Sequence, residues 1–321
     1  METIMRTFTF LFTILFFFLF FISLSYGGNL FKCEDTPRIG PCDPGFKPSM
    51  LESKYHLIQI FGDLSFRKTN FFEDDYNGAV GWVESRLIFP RFSELVDTSI
   101  PLPDPFLIGI LKGLKDIDWE DRWDYGIGLE WRPLKRTECL SDTPLNWTKH
   151  LRFYIAYFKT EYLQYRKGWG WRPDDDFRIG VDLYRECNLY NENRYWGEFW
   201  GDVSWRKTNF YVDDYESWTF AFVPKLGVKL FPEREWAFMP YATGEISVTE
   251  RSEFWQNRAL VGVGLRIMPF RWYEGLIRIF MKGLRIYIEG LWVVGYFKDE
   301  APSVTPDYDF RVGTNFTINW W

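Results

Sequence analysis

Charged side chains that recur in a fixed order are the residues of this chain best suited to chemistry. Asp63 and Arg67 lie four residues apart, and the same pair returns as Asp202 and Arg206. Rings of such charges can select ions and polar solutes, whereas in a confined space the acidic and basic groups can instead satisfy each other; both interpretations are open here. The recurring charges and the charges at matching positions are Asp63, Arg67, Glu130, Arg152, Arg178, Asp202, Arg206, Arg266, Arg285, Glu289 and Arg311.

Catalytic motifs do not stand out in the sequence. The chain has two histidines, His56 and His150, and a serine hydrolase needs a Ser–His pair with an orienting partner. Neither histidine has a counterpart in the repeat described below. The patterns GxxxxGK and HExxH are not present, and the two Gly-x-Gly pairs read as thin strand positions rather than phosphate loops. We therefore predict a non-enzymatic protein with no catalytic site, no metal and no cofactor.

An internal duplication contains these charges. The stretch GDLSFRKTNFFEDDY matches GDVSWRKTNFYVDDY at eleven of fifteen positions. Three shorter matches follow in the same order, so the two copies are related from end to end. Two copies suit a ring closed from two half-sheets, because solenoids and propellers need three or more. The matched stretches begin at Gly62, Gly126, Leu151 and Asp176 in the first copy, and at Gly201, Gly262, Leu284 and Asp309 in the second.

Alternation of apolar and polar residues predicts β-strands. From Asp309 to Trp320 apolar side chains fall on one face and polar side chains on the other, over the length that a tilted strand needs to cross a bilayer. Each half contains six such segments, and twelve is an even number, as in bacterial single-chain barrels. The predicted strands lie near 55–69, 77–89, 105–117, 122–133, 150–165, 175–187, 196–209, 216–231, 239–250, 257–269, 283–298 and 307–320.

Composition supports this interpretation. Aromatic residues make up 21% of the chain and charged residues 26%, with a mean hydropathy of -0.25. Transmembrane helices would be more apolar, and a soluble domain rarely carries so many large apolar side chains. We predict an all-β fold: one transmembrane antiparallel β-barrel of about twelve strands, built from half-barrels at 52–188 and 189–321, with the recurring charges lining its lumen. The net charge of -6 argues against a nucleic-acid partner.

The N-terminus predicts export. Arg6 precedes an apolar run from Phe8 to Ile22, and Ser25 and Gly27 are small residues at the spacing of a cleavage site. We predict a signal peptide at 1–27 and a periplasmic segment at 28–51; an uncleaved membrane anchor is the alternative. With a β-barrel, export predicts the outer membrane of a Gram-negative-type bacterium, where lipid and lipopolysaccharide are the surrounding partners.

Four cysteines follow the export signal: Cys33, Cys42, Cys139 and Cys187. With both termini in the periplasm, all four fall on the periplasmic side, where disulfides can form; four free thiols are the alternative. Acidic stretches fall on the opposite side, at 73–75, 174–176 and 213–214. We interpret them as solvated turns, with divalent-cation binding as the alternative.

The motifs RKTNF, GxGLR and DxDFRxG, quoted as they stand at 67–71, 262–266 and 307–313, give the chain a family resemblance. It resembles the barrel portion of outer-membrane proteins for exopolysaccharide export and phage adsorption, although the helical repeats that often precede that barrel are not found here. The resemblance implies polysaccharide-export components as partners. The last strand resembles the assembly signal of outer-membrane proteins, which implies the barrel-assembly machinery as a further partner.

Three functions remain open from the sequence. The first is a passive channel or export conduit for hydrophilic solutes or polysaccharide, with a water-filled lumen. The second is a plugged structural or receptor barrel, which would bind through its outer turns during adhesion or phage adsorption. The third is an outer-membrane lipid-modifying enzyme, which would need the Ser–His pair that the sequence does not reveal.

Overall fold

The computed structural model describes residues 33–35, 57–70, 76–96, 101–114, 122–134, 148, 150–162, 174–189, 194–209, 215–231, 237–250, 257–270, 283–297 and 307–320. These residues form thirteen β-strands and one short helix, α1 (Phe92–Leu95). The strands are β1 (Cys33–Asp35), β2 (Leu57–Thr69), β3 (Tyr76–Ile88), β4 (Asp104–Leu114), β5 (Arg122–Trp131), β6 (Leu151–Tyr162), β7 (Asp174–Leu189), β8 (Tyr195–Thr208), β9 (Tyr215–Val228), β10 (Ala237–Thr249), β11 (Arg258–Met268), β12 (Arg285–Tyr296) and β13 (Tyr308–Trp320).

Strands β2 to β13 close into one antiparallel barrel. Each strand pairs with the next along the chain, including β7 with β8 at the junction of the two halves, and β13 pairs with β2 to close the ring. Closure leaves no unpaired edge among these twelve strands, which a membrane requires because lipid cannot satisfy free N–H and C=O groups. The predicted twelve-stranded antiparallel barrel is therefore confirmed; its origin by duplication stays a prediction.

Burial on the two faces of the sheet is the reverse of that in a soluble protein, because polar side chains are buried inside and apolar side chains are exposed outside. Along β5, Arg122 and Asp124 are buried, while Trp123 and Tyr125, which alternate with them, are exposed. Apolar side chains around the outside are open, with Ile127 60% exposed. This alternation of apolar outside and polar inside is the pattern of a lipid-facing barrel. Because strand pairing is in register, the polar faces of all twelve strands meet in the interior.

The connection between β3 and β4 carries α1 and is fixed by polar contacts. The backbone N–H of Ser93 donates to Oδ1 of Asp104 at 2.8 Å, and the hydroxyl of Ser93 donates to the other carboxylate oxygen. The indole N–H of Trp131 donates to the carbonyl of Pro101 at 2.7 Å. Within the described parts of the chain, no helix is long and apolar enough to cross a membrane.

Strand β1 adds to the barrel where β7 projects beyond β6. The last β7 residue paired with β6 is Leu183, and β1 then pairs Asp35 with Cys187 and Cys33 with Leu189. Two of the four predicted disulfide cysteines thus lie on neighbouring strands, two register positions apart. Cys42, Cys139 and the predicted signal peptide at 1–27 lie outside the described residues, so the disulfides and the export signal stay predictions.

Candidate functional site: the barrel interior

All eleven charged residues predicted to line the lumen lie on the polar face of the sheet. Register shows this directly: on β2 and β13, Asp63 is opposite Asn315 and Arg67 is opposite Arg311, on the face away from the exposed Leu64. The remaining members face the same way, namely Glu130 on β5, Arg152 on β6, Arg178 on β7, Asp202 and Arg206 on β8, Arg266 on β11, and Arg285 and Glu289 on β12.

On β3 to β7, ion pairs connect neighbouring or next-neighbouring strands. Glu130 accepts from Arg86 at 3.4 Å and from Arg152 at 3.2 Å. Arg152 also forms a bidentate pair with Asp182 on the adjacent strand β7. Because a bidentate guanidinium–carboxylate pair is the strongest form of this interaction, Arg152 links β5, β6 and β7 on the inner wall.

Nearer the opposite rim, Asp176 on β7 is fully buried and bound by two arginines, Arg178 and Arg206. Sequence reasoning assigned Asp176 two places, in the predicted strand at 175–187 and in a solvated acidic stretch at 174–176, and the second is wrong for this residue. The residue belongs to β7, and its carboxylate points inward to the arginines because strand alternation puts it on their face. The acidic stretches at 73–75 and 213–214 lie outside the described residues.

On β8 to β13, ion pairs cross the interior. Glu198 on β8 binds Arg266 on β11 at 2.7 Å, and Lys225 on β9 binds Glu289 on β12 at 2.6 Å. The two strands of each pair are three places apart in the ring, so the side chains meet inside the barrel and not along one wall. A third bridge of the same span joins Glu245 on β10 to Arg311 on β13 at 2.9 Å.

Two tyrosine–carboxylate hydrogen bonds lie at matching positions of the repeat. The hydroxyl of Tyr154 donates to Asp202 at 2.7 Å, and the hydroxyl of Tyr287 donates to Asp63, also at 2.7 Å. Each bond joins the fifth strand of one half to the first strand of the other half. The bonds therefore fasten the two halves to each other across both of their junctions.

An apolar cluster occupies the interior beside β3, β4 and β6. Its buried members include Ile88, Ile108, Ile110 and Phe158. They face inward, since Ile110 is opposite the buried Asp124 and Phe158 is opposite the buried Asp176. Sequence reasoning missed this cluster because it concentrated on charge. The signal was present in β4, where Phe106, Ile108 and Ile110 take inward positions between Asp104 and Lys112.

The two Gly-x-Gly pairs lie within strands, and aromatic rings lie over one glycine of each. A Cβ at Gly128 would come within 2.4 Å of the Phe106 ring, and one at Gly264 would come within 2.4 Å of the Tyr241 ring. Each ring is opposite its glycine in the register. The absent side chain thus lets an inward aromatic ring lie flat against the neighbouring strand, which explains glycine here without a ligand.

Several interior charges are not among the eleven predicted from the sequence, and three of them, Glu198, Lys225 and Glu245, form the crossing bridges. Lys225 and Glu245 lie outside the stretches that match well between the copies, and only the three-dimensional closure reveals their partners. Within the described ranges no group of three or more His, Cys, Asp or Glu side chains is placed to hold a metal ion. His150 is half-buried just before β6, and His56 is outside those ranges.

No protein-family model matches the chain, and no curated protein is significantly similar to it. Solved structures give partial superpositions. The superposition with the β domain of the Bordetella autotransporter BrkA covers 82% of this chain and 98% of that domain, with 12% identity and a TM-score of 0.36. A bacterial polysaccharide outer membrane secretin covers 83% and 98%, with 8% identity and a TM-score of 0.35.

An outer membrane channel from Pseudomonas putida F1 covers 86% of this chain and 99% of its own, with 9% identity and a TM-score of 0.33. Superpositions at this level leave the function to be argued from the chain itself.

Proposed function

We propose that the chain is an outer-membrane protein of a Gram-negative-type bacterium, whose barrel encloses a narrow, charge-lined passage for small hydrophilic solutes. The membrane location is supported by the closed sheet and by its apolar outer face. Ile58 pairs with Trp320, so both ends of the barrel segment lie at one rim. We assign this rim to the periplasm, in keeping with the predicted export signal.

The passage is supported by one observation: four inward-facing side chains on β7 and β8 keep access to water at different heights of the barrel, although Asp176, Ser204 and Thr208 on the same face are buried. Arg178 and Arg206, near the outer rim, are 20% and 24% exposed at their side chains. Asp182 retains 15%, and Trp200, nearer the periplasmic rim, is 41% exposed. A lumen filled with protein along this wall would leave these side chains buried.

The lining suggests the class of solute. Basic groups lie at the outer end of this wall, and the acidic Asp182 lies further in beside Arg152, so both signs of charge border the passage. Such a lining favours small polar solutes over ions of one sign. Export of polysaccharide is a finer proposal that rests on the sequence resemblance alone.

A sealed structural or receptor barrel is the second candidate. It is favoured by the crossing bridges Glu198–Arg266, Lys225–Glu289 and Glu245–Arg311, which fill the lumen beside β8 to β13. The two candidates share the same barrel and differ only in whether the wall at β7 and β8 stays hydrated throughout. A non-enzymatic role is kept as part of both.

Single-channel conductance of the refolded chain in a planar bilayer tests the proposal. The variant Arg178→Ala/Arg206→Ala removes both outer basic groups, and Lys207→Ala is the matched control, since Lys207 is exposed on the outward face of β8. We expect a small, stable conductance in the wild type, a shift towards cations in the double variant, and no shift in the control.

Two outcomes decide against the passage. A correctly folded barrel that stays electrically silent would favour the sealed candidate. A conductance whose ion preference is the same in all three proteins would mean that current bypasses the β7–β8 wall. Addition of short oligosaccharides to a conducting barrel then tests the finer proposal, since a sugar that enters the passage interrupts the current.

A further inference from the structure

A groove opens on the outer wall of the barrel over β4, β5 and β6. Its volume is about 400 Å³, near the lower end of the roughly 300–1,000 Å³ typical of small-ligand sites. The outward side chains of Leu107, Ile127, Leu129 and Ile155 form its sides. No charged residue lines it, and Tyr157 carries the one hydroxyl among the lining side chains, so the groove suits a hydrocarbon better than a polar ligand.

The floor of the groove is the backbone itself. Gly128 has no side chain, and Ala156 and Phe106, both members of the interior apolar cluster, line the groove from behind. A Cβ at Gly128 would lie 2.4 Å from the Phe106 ring and 2.6 Å from the carbonyl oxygen of Ile155. The wall is therefore one strand thick at this point, with apolar groups on both sides.

One end of the groove reaches the rim where β3 passes to β4, because Phe89 and Pro105 line it, and the other end reaches Tyr157 on β6 and Phe177 on β7. The connection at this rim exposes further apolar side chains: Phe89 is 59% exposed, and Phe92 and Leu102 are also open. In the proposed orientation this rim is periplasmic, so this end of the groove opens to the inner leaflet. An open apolar connection beside it extends the apolar surface to the level of the lipid headgroups.

We propose that the groove binds one acyl chain of an inner-leaflet phospholipid. The occupant follows from the position of the groove on the lipid-facing wall, from its wholly uncharged lining and from its continuity with the exposed apolar connection. A second copy of the chain would need a protruding complement, whereas an acyl chain is already present at this depth. The inference rests on the membrane location in the proposed function and is independent of the passage.

Photocrosslinking with phosphatidylethanolamine that carries a diazirine on one acyl chain tests this proposal. The full chain is refolded into vesicles containing this lipid, irradiated and mapped by mass spectrometry. We expect labelling at Leu107, Leu129 and Ile155 several-fold above that at Val263, which occupies the repeat position of Ile127 on the opposite half and is equally open, at 59% against 60%.

A matched pair of variants separates binding from general lipid contact. Ile127→Trp fills the groove and should lower labelling at Leu107 and Ile155 several-fold, while Val263→Trp adds the same bulk on the other half and should leave that labelling unchanged. Equal labelling of both halves, insensitive to Ile127→Trp, would overturn the groove site and leave ordinary annular lipid. Crosslinks between two copies at Ile127 would overturn it in favour of self-association. If neither half were labelled by the acyl chain, the membrane location itself would be overturned.

Discussion

The two six-stranded halves of the barrel have related sequences but different interiors. Beside β3, β4 and β6 the interior contains a buried apolar cluster that includes Ile110 and Ala156. In the second half, the positions related to these by register and repeat carry Glu245 and Glu289, which anchor bridges across the lumen. The difference indicates that one backbone plan accepts either kind of packing, provided that each buried charge has a partner.

One pair of positions shows how the exchange is balanced. In the first half Ile110 on β4 is opposite Asp124 on β5, and in the second half Glu245 on β10 is opposite Leu260 on β11. Each half thus has one carboxylate and one aliphatic side chain, on exchanged strands.

An arginine at the same repeat position binds the carboxylate in both halves. Arg122 binds Asp124 at 3.2 Å, and its repeat counterpart Arg258 binds Glu245 at 3.1 Å. The carboxylate has changed strand while the ion pair persists, so we infer that the pair matters more than the strand that supplies it.

The largest effect is expected when this balance is broken on one side only. Ile110→Glu places a second buried carboxylate opposite Asp124 and should lower the free energy of unfolding by about 4–5 kcal/mol. The double variant Ile110→Glu/Asp124→Leu recreates the arrangement of the second half and should be more stable than the sum of the two single changes predicts, by a favourable coupling of about 2–3 kcal/mol. Urea unfolding in lipid vesicles gives the free energy of unfolding for four proteins: the wild type, Ile110→Glu, Asp124→Leu and the double variant.

A double variant no more stable than the sum of its single changes predicts would contradict the exchange, and would mean that the surrounding wall decides which strand can carry the carboxylate.

Removal of a crossing bridge should have the next largest effect. Glu289→Ala leaves Lys225 without its carboxylate and takes the acceptor from the Tyr241 hydroxyl, which donates to Glu289 at 2.6 Å. Loss of one partner of a buried pair should cost about 3–4 kcal/mol. Glu289→Gln keeps an acceptor for Tyr241 and should cost less; equal losses in the two variants, by thermal or urea unfolding, would assign the effect to packing and not to charge.

The smallest effect is expected at the junctions between the halves, and it should be equal in both. Tyr154→Phe and Tyr287→Phe each remove one hydrogen bond to a carboxylate and should each cost about 1.5–3 kcal/mol. Because the two bonds have the same length and related positions, the unfolding midpoints of the two variants should shift by the same amount. A loss confined to one junction would mean that the halves close the barrel by different contacts.

The strands could be predicted from the sequence because alternation with a period of two is a local property. Even β4, which glycine and Lys112 interrupt, begins and ends within a few residues of its predicted range at 105–117. The inward face of each strand follows from the same alternation, so Arg152 and Glu289 could be assigned to it without a structure.

The pairing of the interior charges could not be predicted. The partners Lys225 and Glu289 lie on strands three places apart, and whether they meet depends on the curvature and tilt of the closed barrel. The apolar cluster around Ile110 was equally hidden, since an apolar residue on the polar face gives no sign by itself of what it packs against.

The central claim is that water follows the wall of β7 and β8, which Ala221 on β9 borders opposite Asp202, and is kept out by the crossing bridges beside β10 to β13. Ala221 on β9 and Thr243 on β10 are both small inward residues, but Ala221 is partly exposed and Thr243 is buried. The most direct measurement is the rate at which a charged thiol reagent modifies Ala221→Cys and Thr243→Cys, with the four native cysteines replaced by serine. Rapid modification at 221, with a change in conductance, and protection at 243 are the predicted result. Equal protection at both positions would contradict the passage, and equal modification would contradict the sealed network.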